Sequence, residues 1–241
     1  MAPKGSTGSS GNKRAAADPA PGVSPASKRT RTDTKTQKKD PKASHLYTDD
    51  NPETTLHGTG FKDAATAKHT IELVSERSLT YQFQTINTML YRAKGHKHKT
   101  VGIEAAIDIF QPWVDEYKQR KSELRSFPLL PKPKVKDYLH NYDRGKYDDI
   151  PTDEEFRDAE TFAMIYVELG ARKRLANTLV DQQHPEREDW EIRRYKHLCD
   201  LLPEHEELGA DELWQGPERD QKPTAKHLTM IFWGYSPSRK V

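Results

Sequence analysis

The chain has 241 residues, of which 33% are hydrophobic and 32% charged, and its formal net charge is +2. A typical globular domain is about 45–50% apolar and about 25% charged, so part of this chain is expected to be disordered, or its core to be small under a highly charged surface. No apolar stretch approaches the ~18 residues of a membrane span, and the first residues lack the apolar run of a secretory signal, so we expect neither.

The N-terminal segment is basic and almost free of large apolar side chains. Residues 1–45 contain ten Lys and Arg against three Asp, whereas the rest of the chain contains 29 Lys and Arg against 34 Asp and Glu. The segment has no aromatic residue, and its only large aliphatic side chains are Met1 and Val23. Because it cannot bury enough apolar surface to offset chain entropy, we predict that residues 1–50 form a disordered basic tail. Such a tail is expected to meet an acidic partner, namely nucleic acid, an acidic protein or a receptor.

Two basic groups in this tail are typical of a nuclear-import signal. Their cations are Lys13 and Arg14, then Lys28, Arg29 and Arg31. A nuclear import receptor binds an extended chain that offers cations to an acidic groove, and a disordered tail would supply such a chain. The alternative is a solvated polycation without an import role. Ser24 precedes a proline and is a candidate phosphorylation site, where a phosphate would add up to about two negative charges and weaken the signal.

Helical periodicity begins after Gly60 and predicts a three-helix block over residues 56–125. Each helix starts at a side chain that can cap it: Asp63, Ser78 and Thr100. The apolar stripes that follow are Ala67, Ile71 and Val74; Leu79, Phe83, Ile86 and Leu90; and Ile103, Ile107, Phe110 and Val114. Gly95 is expected to end the second helix, and Pro112 to kink or restart the third. Short connections favour helices that pack as a small bundle.

The second half of the chain is divided by a break in this periodicity. Residues 126–151 contain three prolines within six residues and three tyrosines among charges, which we interpret as a Pro/Tyr-rich linker held to the surface by its aromatic side chains. Residues 152–241 are predicted to form a second helical region that packs on the first. The predicted fold class is therefore mainly α, with small helical bundles preceded by a disordered basic N-terminal tail.

Three elements are expected within the second region. A capping box of Thr152 and Glu155 predicts a helix that continues to Leu169, before Gly170. Another helix is expected from about Pro185 to Leu202, with Trp190, Leu198 and Leu201 facing inward. The last apolar run, 228–235, fits either a helix or a strand, and a capping position at Thr224 favours the helix.

The chemistry-bearing residues give no catalytic signature. The single cysteine, Cys199, excludes an intrachain disulfide and fits a reducing compartment, and its apolar neighbours indicate a buried, inert thiol. No local Ser–His–acid, zinc, paired-carboxylate or dinucleotide motif occurs, so we expect no enzyme and no cofactor. The stretch 57–61 has two glycines but lacks the Lys-Ser/Thr ending of a phosphate loop. A site assembled from residues far apart in the sequence is the alternative left open.

The candidate binding site of the body is the basic connection between the second and third helices. Its side chains are Arg92, Lys94, His96, Lys97, His98 and Lys99, and no Asp or Glu occurs from residue 77 to 103. The helix that begins after Thr100 adds backbone N–H groups and a dipole that favour anions. The same run offers side chains that hydrogen-bond or stack beside phosphates, namely Arg77, Gln84, Asn87 and Tyr91. The alternatives are a solvated turn and an ordinary amphipathic helix face. Metal ligation by His96 and His98 is disfavoured because no Cys or acidic cluster stands beside them.

The sequence therefore favours a nuclear, non-enzymatic binding protein. Its tail and basic turn would contact DNA or RNA, or a chromatin-associated protein complex, after recognition by a nuclear import receptor. The alternative is a protein-interaction scaffold whose acidic body binds a protein partner and whose tail serves only for import. No membrane partner is expected.

Overall fold

The computed structural model describes residues 56–143, 145–147, 150–205, 208–216 and 221–238. All of them belong to one unit of the fold. The predicted tail, its import signal and Ser24 lie outside the described residues, so these assignments stay predictions. Within the described part of the chain, no helix is long and apolar enough to cross a membrane.

Helices make up 59% of the described residues, which confirms the mainly α class. The α-helices are α1 (Ala64–Leu73), α2 (Leu79–Lys94), α3 (Val101–Glu123), α4 (Lys132–Asp143), α5 (Glu154–Glu168), α6 (Trp190–Leu201), α7 (Ala210–Leu213) and α8 (Ala225–Phe232). A short 3-10 helix spans Leu175–Asn177. The two-residue strands β1 (Trp214–Gln215) and β2 (Lys222–Pro223) pair in antiparallel orientation.

The predicted boundaries of the first three helices are confirmed by their caps. Asp63, Ser78 and Thr100 each accept a hydrogen bond from the backbone N–H three residues on, which satisfies one of the free donors of the first turn. Gly95 follows α2 as its C-cap. Pro112 does not start a new helix, because α3 continues through it from Val101 to Glu123. A proline inside a helix removes only one backbone hydrogen bond, and the apolar face of α3 holds the two halves together.

The helices α1, α2 and α3 enclose the first hydrophobic core. Its buried members are Leu56, Ala67, Val74, Ile86, Met89, Leu90, Ala106, Phe110 and Trp113. Phe83 and Tyr117 stack beside it with ring centres 3.9 Å apart. A fully buried side chain such as Phe110 stabilises the fold by about 1.5–3 kcal/mol relative to an exposed one. The predicted stripe of α2 is buried only in its second half, because Leu79 faces an open cleft.

Helix α4 corrects the prediction of a linker over residues 126–151. The two prolines nearest to it do not break the helix, because Pro131 precedes it and Pro133 occupies its first turn, where a backbone N–H has no helical partner anyway. Val135 is completely buried in the second core, and Tyr138 and Tyr142 pack against the same core. The prolines therefore mark the start of a helix.

The second core lies between α4, α5, α6 and α8. The cap of α5 is Asp153 rather than Thr152, since its carboxylate accepts the Phe156 N–H at 2.8 Å. Helix α6 begins at Trp190, later than predicted, because the Asp189 carboxylate caps it. Trp190 and Leu198 are buried as expected, whereas Leu201 is only half-buried. An Asp side chain is a strong helix cap, and this explains both shifts in boundary.

The last apolar run is helical, as the capping position favoured. Thr224 accepts the His227 N–H at 3.2 Å and begins α8, whose residues 227–232 are all buried. A helix buried on every side shows no amphipathic period, and this is why its sequence also fitted a strand. Cys199, in contrast, is half-buried beside Tyr195 rather than buried, because Leu198 takes the inward position on α6.

A buried ion pair joins the segment before α2 to the start of α6. Nε of Arg77 lies 3.1 Å from Oδ2 of Asp189, and the two side chains are 2% and 0% exposed. The guanidinium also donates to the carbonyl oxygens of Pro185 at 2.7 Å and Ala176 at 2.8 Å. The same Oδ2 accepts the backbone N–H and the hydroxyl of Ser78, each at 2.9 Å. These bonds tie the first core to the second.

Candidate nucleic-acid interface

The basic connection between α2 and α3 lies fully at the surface. The side chains predicted to form the site are all exposed: Arg92, Lys94, His96, Lys97, His98 and Lys99. Arg92, Lys97 and Lys99 make no ion pair or hydrogen bond through their side chains with any described residue. Their charges are therefore available to a partner in solution.

Unlike Arg92, Lys97 and Lys99, the side chains of Lys94 and His96 make contacts within the protein. The Lys94 ammonium donates a hydrogen bond to Oε1 of Gln111 and lies 5.9 Å from the centre of the Tyr91 ring. Nδ1 of His96 lies 2.8 Å from the carbonyl oxygen of His98, so the turn folds back on itself. Among the described residues, no three His, Cys, Asp or Glu side chains are grouped so that they could hold a metal ion.

The segment before α1 adds a further cation to this surface. The ring of Phe61 meets the imidazole of His96 edge-on, with centres 6.3 Å apart. The backbone of α3 also approaches this segment at Gly102, where a Cβ atom would lie 2.6 Å from the carbonyl oxygen of Lys62. The Lys62 side chain is exposed. We call the whole set the basic turn surface: Lys62, Arg92, Lys94, Lys97 and Lys99, with His96 and His98.

The dipoles of α2 and α3 have opposite effects on the cations at the two ends of the turn. Arg92 and Lys94 lie in the last turn of α2, where cations are stabilised by the partial negative charge of the helix end. Lys97 and Lys99 lie before the N-terminus of α3, where cations are disfavoured. The helix dipoles therefore stabilise Arg92 and Lys94 but not Lys97 and Lys99.

Of the four side chains predicted to stand beside the phosphates, Tyr91 alone is well exposed, at 65%. Gln84 and Asn87 are half-buried on α2. The prediction for Arg77 requires correction, since this side chain is buried in the ion pair with Asp189 and cannot reach a phosphate. The partner lies 112 residues further along the chain, and the absence of acids from residue 77 to 103 gave the impression of a free cation.

The glycine-containing loop before α1 is a turn rather than a phosphate loop. Gly60 donates its N–H to the hydroxyl of Thr70 at 2.8 Å, and the same hydroxyl donates to the Gly60 carbonyl oxygen at 3.0 Å. The carboxylate of Asp63 already caps α1, so a negative charge stands where an anion would have to bind.

The fold also brings one Ser–His pair together near the end of the described chain. Nε2 of the buried His227 lies 2.8 Å from the hydroxyl oxygen of Ser236, and Nδ1 lies 2.8 Å from the carbonyl oxygen of Leu213. Burial lowers the pKa of His227 to about 4, which makes the neutral imidazole a weak base. The Ser236 oxygen also accepts the backbone N–H of Ser238 at 3.1 Å. We interpret the pair as a buried link between α8 and the segment around Leu213.

A cleft of about 840 Å³ lies where α2, α3 and α6 meet residues 124–129. Sequence reasoning missed it because its walls come from four separate segments of the chain. Leu124 and Leu129, which line it, are exposed in the structure, but their exposure cannot be read from the sequence.

Fold and surface together define a mainly helical protein with an exposed, partly unpaired basic turn. No protein-family model, no curated protein and no solved structure matches the chain. The chemistry of its own residues is therefore the basis for assigning it a function.

Proposed function

We propose that this protein is a nuclear, non-enzymatic binding protein that contacts the phosphates of DNA or RNA through its basic turn surface and its basic tail. The observation that supports the proposal best is the position of Lys97 and Lys99. Both are exposed, neither is paired with a described residue, and both stand at the end of α3 where its dipole disfavours cations. A phosphate backbone supplies the negative charge that Lys97 and Lys99 do not find among the described side chains.

The neighbouring side chains suit a ligand of this kind. The Tyr91 ring is exposed next to Lys94 and offers a flat surface for stacking on an unpaired base. The hydrogen-bonding side chains of the turn reach phosphate oxygens without reading base edges, so we expect affinity with little sequence preference. Binding through such contacts releases counterions and therefore weakens steeply as salt rises.

A salt series tests the proposal. Affinity for a labelled DNA duplex and for a labelled single-stranded RNA is measured on the full chain by fluorescence anisotropy. The variant Arg92→Gln/Lys97→Gln/Lys99→Gln should flatten the slope of log K against log salt by about two to three units, because each lost phosphate contact contributes about 0.7–0.9.

The matched control is Lys118→Gln/Lys134→Gln/Lys136→Gln. These lysines are also exposed, and their removal changes the net charge by the same amount. The tail is present in all the proteins and contributes equally to each slope. Equal slopes for the two triple variants would refute the role of the turn. If the unchanged protein binds neither nucleic acid even at low salt, the protein-interaction scaffold replaces this proposal.

A further inference from the structure

The cleft between the two cores contains a buried cation without a carboxylate partner. Arg194 is 8% exposed, and its Nε donates to the carbonyl oxygen of Trp233 at 2.6 Å. Nη2 donates to the carbonyl oxygens of Phe127 at 3.0 Å and Gly234 at 3.4 Å. Nη1 has no hydrogen-bond partner among the described residues, nor does the guanidinium form an ion pair with any of them. Buried charges are normally paired, so the guanidinium of Arg194 is expected to attract an anion.

The carboxylate nearest to Arg194 along the helix is already engaged elsewhere. Glu191 lies one turn earlier on α6 and also lines the cleft, but its Oε1 accepts the hydroxyl hydrogen of Thr80. Burial raises the pKa of Glu191, while Arg194 and Lys121 act in the opposite direction, so both cations face the same region. Burial also lowers the pKa of Arg194 to about 10, which leaves the guanidinium charged at neutral pH.

The opposite wall supplies a second available cation. Lys121 is exposed near the end of α3 and makes no ion pair with a described residue. The neighbouring Arg120 is paired with Glu116 instead, at 2.7 Å. Glu76 is the other carboxylate of the cleft wall, and it is exposed at the rim. Over the whole lining, six Lys and Arg side chains stand against two carboxylates, those of Glu76 and Glu191, so cations outnumber carboxylates around the cleft.

The rest of the lining is suited to an apolar group. The apolar and aromatic side chains of the walls include Leu79, Tyr117, Leu124, Phe127, Leu129 and Ile192. The volume of about 840 Å³ lies within the roughly 300–1,000 Å³ range of small-molecule sites, which occur preferentially where two packed units meet. An apolar cavity with a few convergent polar groups is the usual form of such a site.

We propose that this cleft binds a small organic anion, whose carboxylate or phosphate contacts Nη1 of Arg194 and the ammonium of Lys121 while its apolar body lies against Leu79, Tyr117 and Phe127. The site is separate from the basic turn surface and does not depend on nucleic-acid binding. Carboxylate and phosphate oxygens both accept charge-assisted hydrogen bonds from a guanidinium N–H, so the experiment compares the two.

Fluorescence titration of the full chain with anilinonaphthalene sulfonate, an aromatic anion, tests the proposal. Saturable binding is expected, and phenylnaphthylamine, which has the same aromatic body without the sulfonate, should bind about tenfold more weakly, because a hydrogen bond to a charged group contributes enough for such a factor. Displacement by octanoate and by octyl phosphate shows which anionic group is preferred.

Two variants avoid the risk that substitution of the buried Arg194 unfolds the protein. Lys121→Gln removes the exposed cation and should weaken the aromatic anion several-fold with little effect on the neutral analogue. Ser126→Trp fills the cleft with an aromatic ring and should abolish binding of both. Lys118→Gln, on the same helix but outside the cleft, is the control for charge. The proposal is overturned if the neutral analogue binds as tightly as the anion, or if both variants bind like the unchanged protein.

Discussion

Asp189 uses its two carboxylate oxygens for two different tasks. Oδ1 accepts the backbone N–H groups of Glu191 at 3.1 Å and Ile192 at 3.0 Å, and thereby caps α6. Oδ2 binds Arg77 and Ser78 from the first half of the chain. Removing two charges from water is costly, and the cost is offset here because the carboxylate and the guanidinium have several hydrogen bonds besides the ion pair.

We expect Asp189→Asn to lower the free energy of unfolding by about 3–5 kcal/mol, because it leaves the buried Arg77 guanidinium without a counter-charge. Chemical denaturation measures this loss. Asp200→Asn, an exposed change on the same helix, should stay within about 0.5 kcal/mol of the unchanged protein. Similar small losses for both variants would contradict the assigned role of the ion pair.

Residue-level prediction succeeded where the partner is close in the sequence. The caps Asp63, Ser78 and Thr100 were predictable because each bonds to a backbone N–H three residues away. The role of Arg77 was not, since its partner Asp189 is brought to it only by the tertiary fold. The buried position of Arg194 could not be predicted either, because its three acceptors are backbone carbonyl oxygens, which carry no sequence signal.

At the scale of elements, helices with one solvated face were easier to predict from the sequence than helices buried on all sides. The helices α1 to α3 each have one buried and one solvated face, so their apolar residues recur at a helical period. Helix α8 is buried on all sides, and its period is lost. Helix α4 was missed because Pro131 and Pro133 suggested a break, although both lie where a helix tolerates proline.

The packing of α3 against the start of α1 gives a prediction for Gly102. Alanine favours a helix over glycine by about 1 kcal/mol, yet a Cβ atom here would lie 2.6 Å from the backbone carbonyl oxygen of Lys62. A backbone group cannot rotate away, so we expect Gly102→Ala to lower stability by about 1–3 kcal/mol and the melting temperature with it.

Gly170→Ala is the matched control for this change. A Cβ atom at Gly170 would meet nothing within 4 Å, so a neutral or slightly stabilising effect is expected at that position. If Gly102→Ala instead raises the melting temperature as a helix-favouring change would, then α3 does not press against Lys62 as closely as described.

At the scale of the whole molecule, helical periodicity predicted the class of fold, and the charge pattern of one segment indicated the basic turn. The described residues are mainly α-helical, and the side chains of the basic turn are exposed. The cleft was beyond prediction, because its walls come from α2, α3, α6 and residues 124–129, which meet only in the folded protein. Charge patterning within one segment is visible in a sequence, whereas a concave surface between segments is not.

The charge pattern of the whole chain also leads to a prediction about localisation. In a fluorescent fusion of the full chain, Lys28→Ala/Arg29→Ala/Arg31→Ala should abolish nuclear accumulation, since an import receptor requires clustered cations on an accessible chain. Lys35→Ala/Lys38→Ala/Lys39→Ala removes the same charge from the same tail and should leave accumulation intact. Microscopy distinguishes the two, and nuclear accumulation of both variants would remove the import assignment.

The order of the helices along the chain bears on how the protein forms during its synthesis. The first core needs only α1 to α3, which are contiguous and end at Glu123, whereas the second core is closed by α8, which ends at Phe232. Synthesis of the roughly 110 residues between these points takes on the order of 5–20 s, much longer than the formation of a small helical bundle. We therefore expect the first bundle to fold while the rest of the chain is still being synthesised, and the aromatic side chains of the second core, Phe156, Phe162 and Trp190 among them, to stay exposed until α8 has been made.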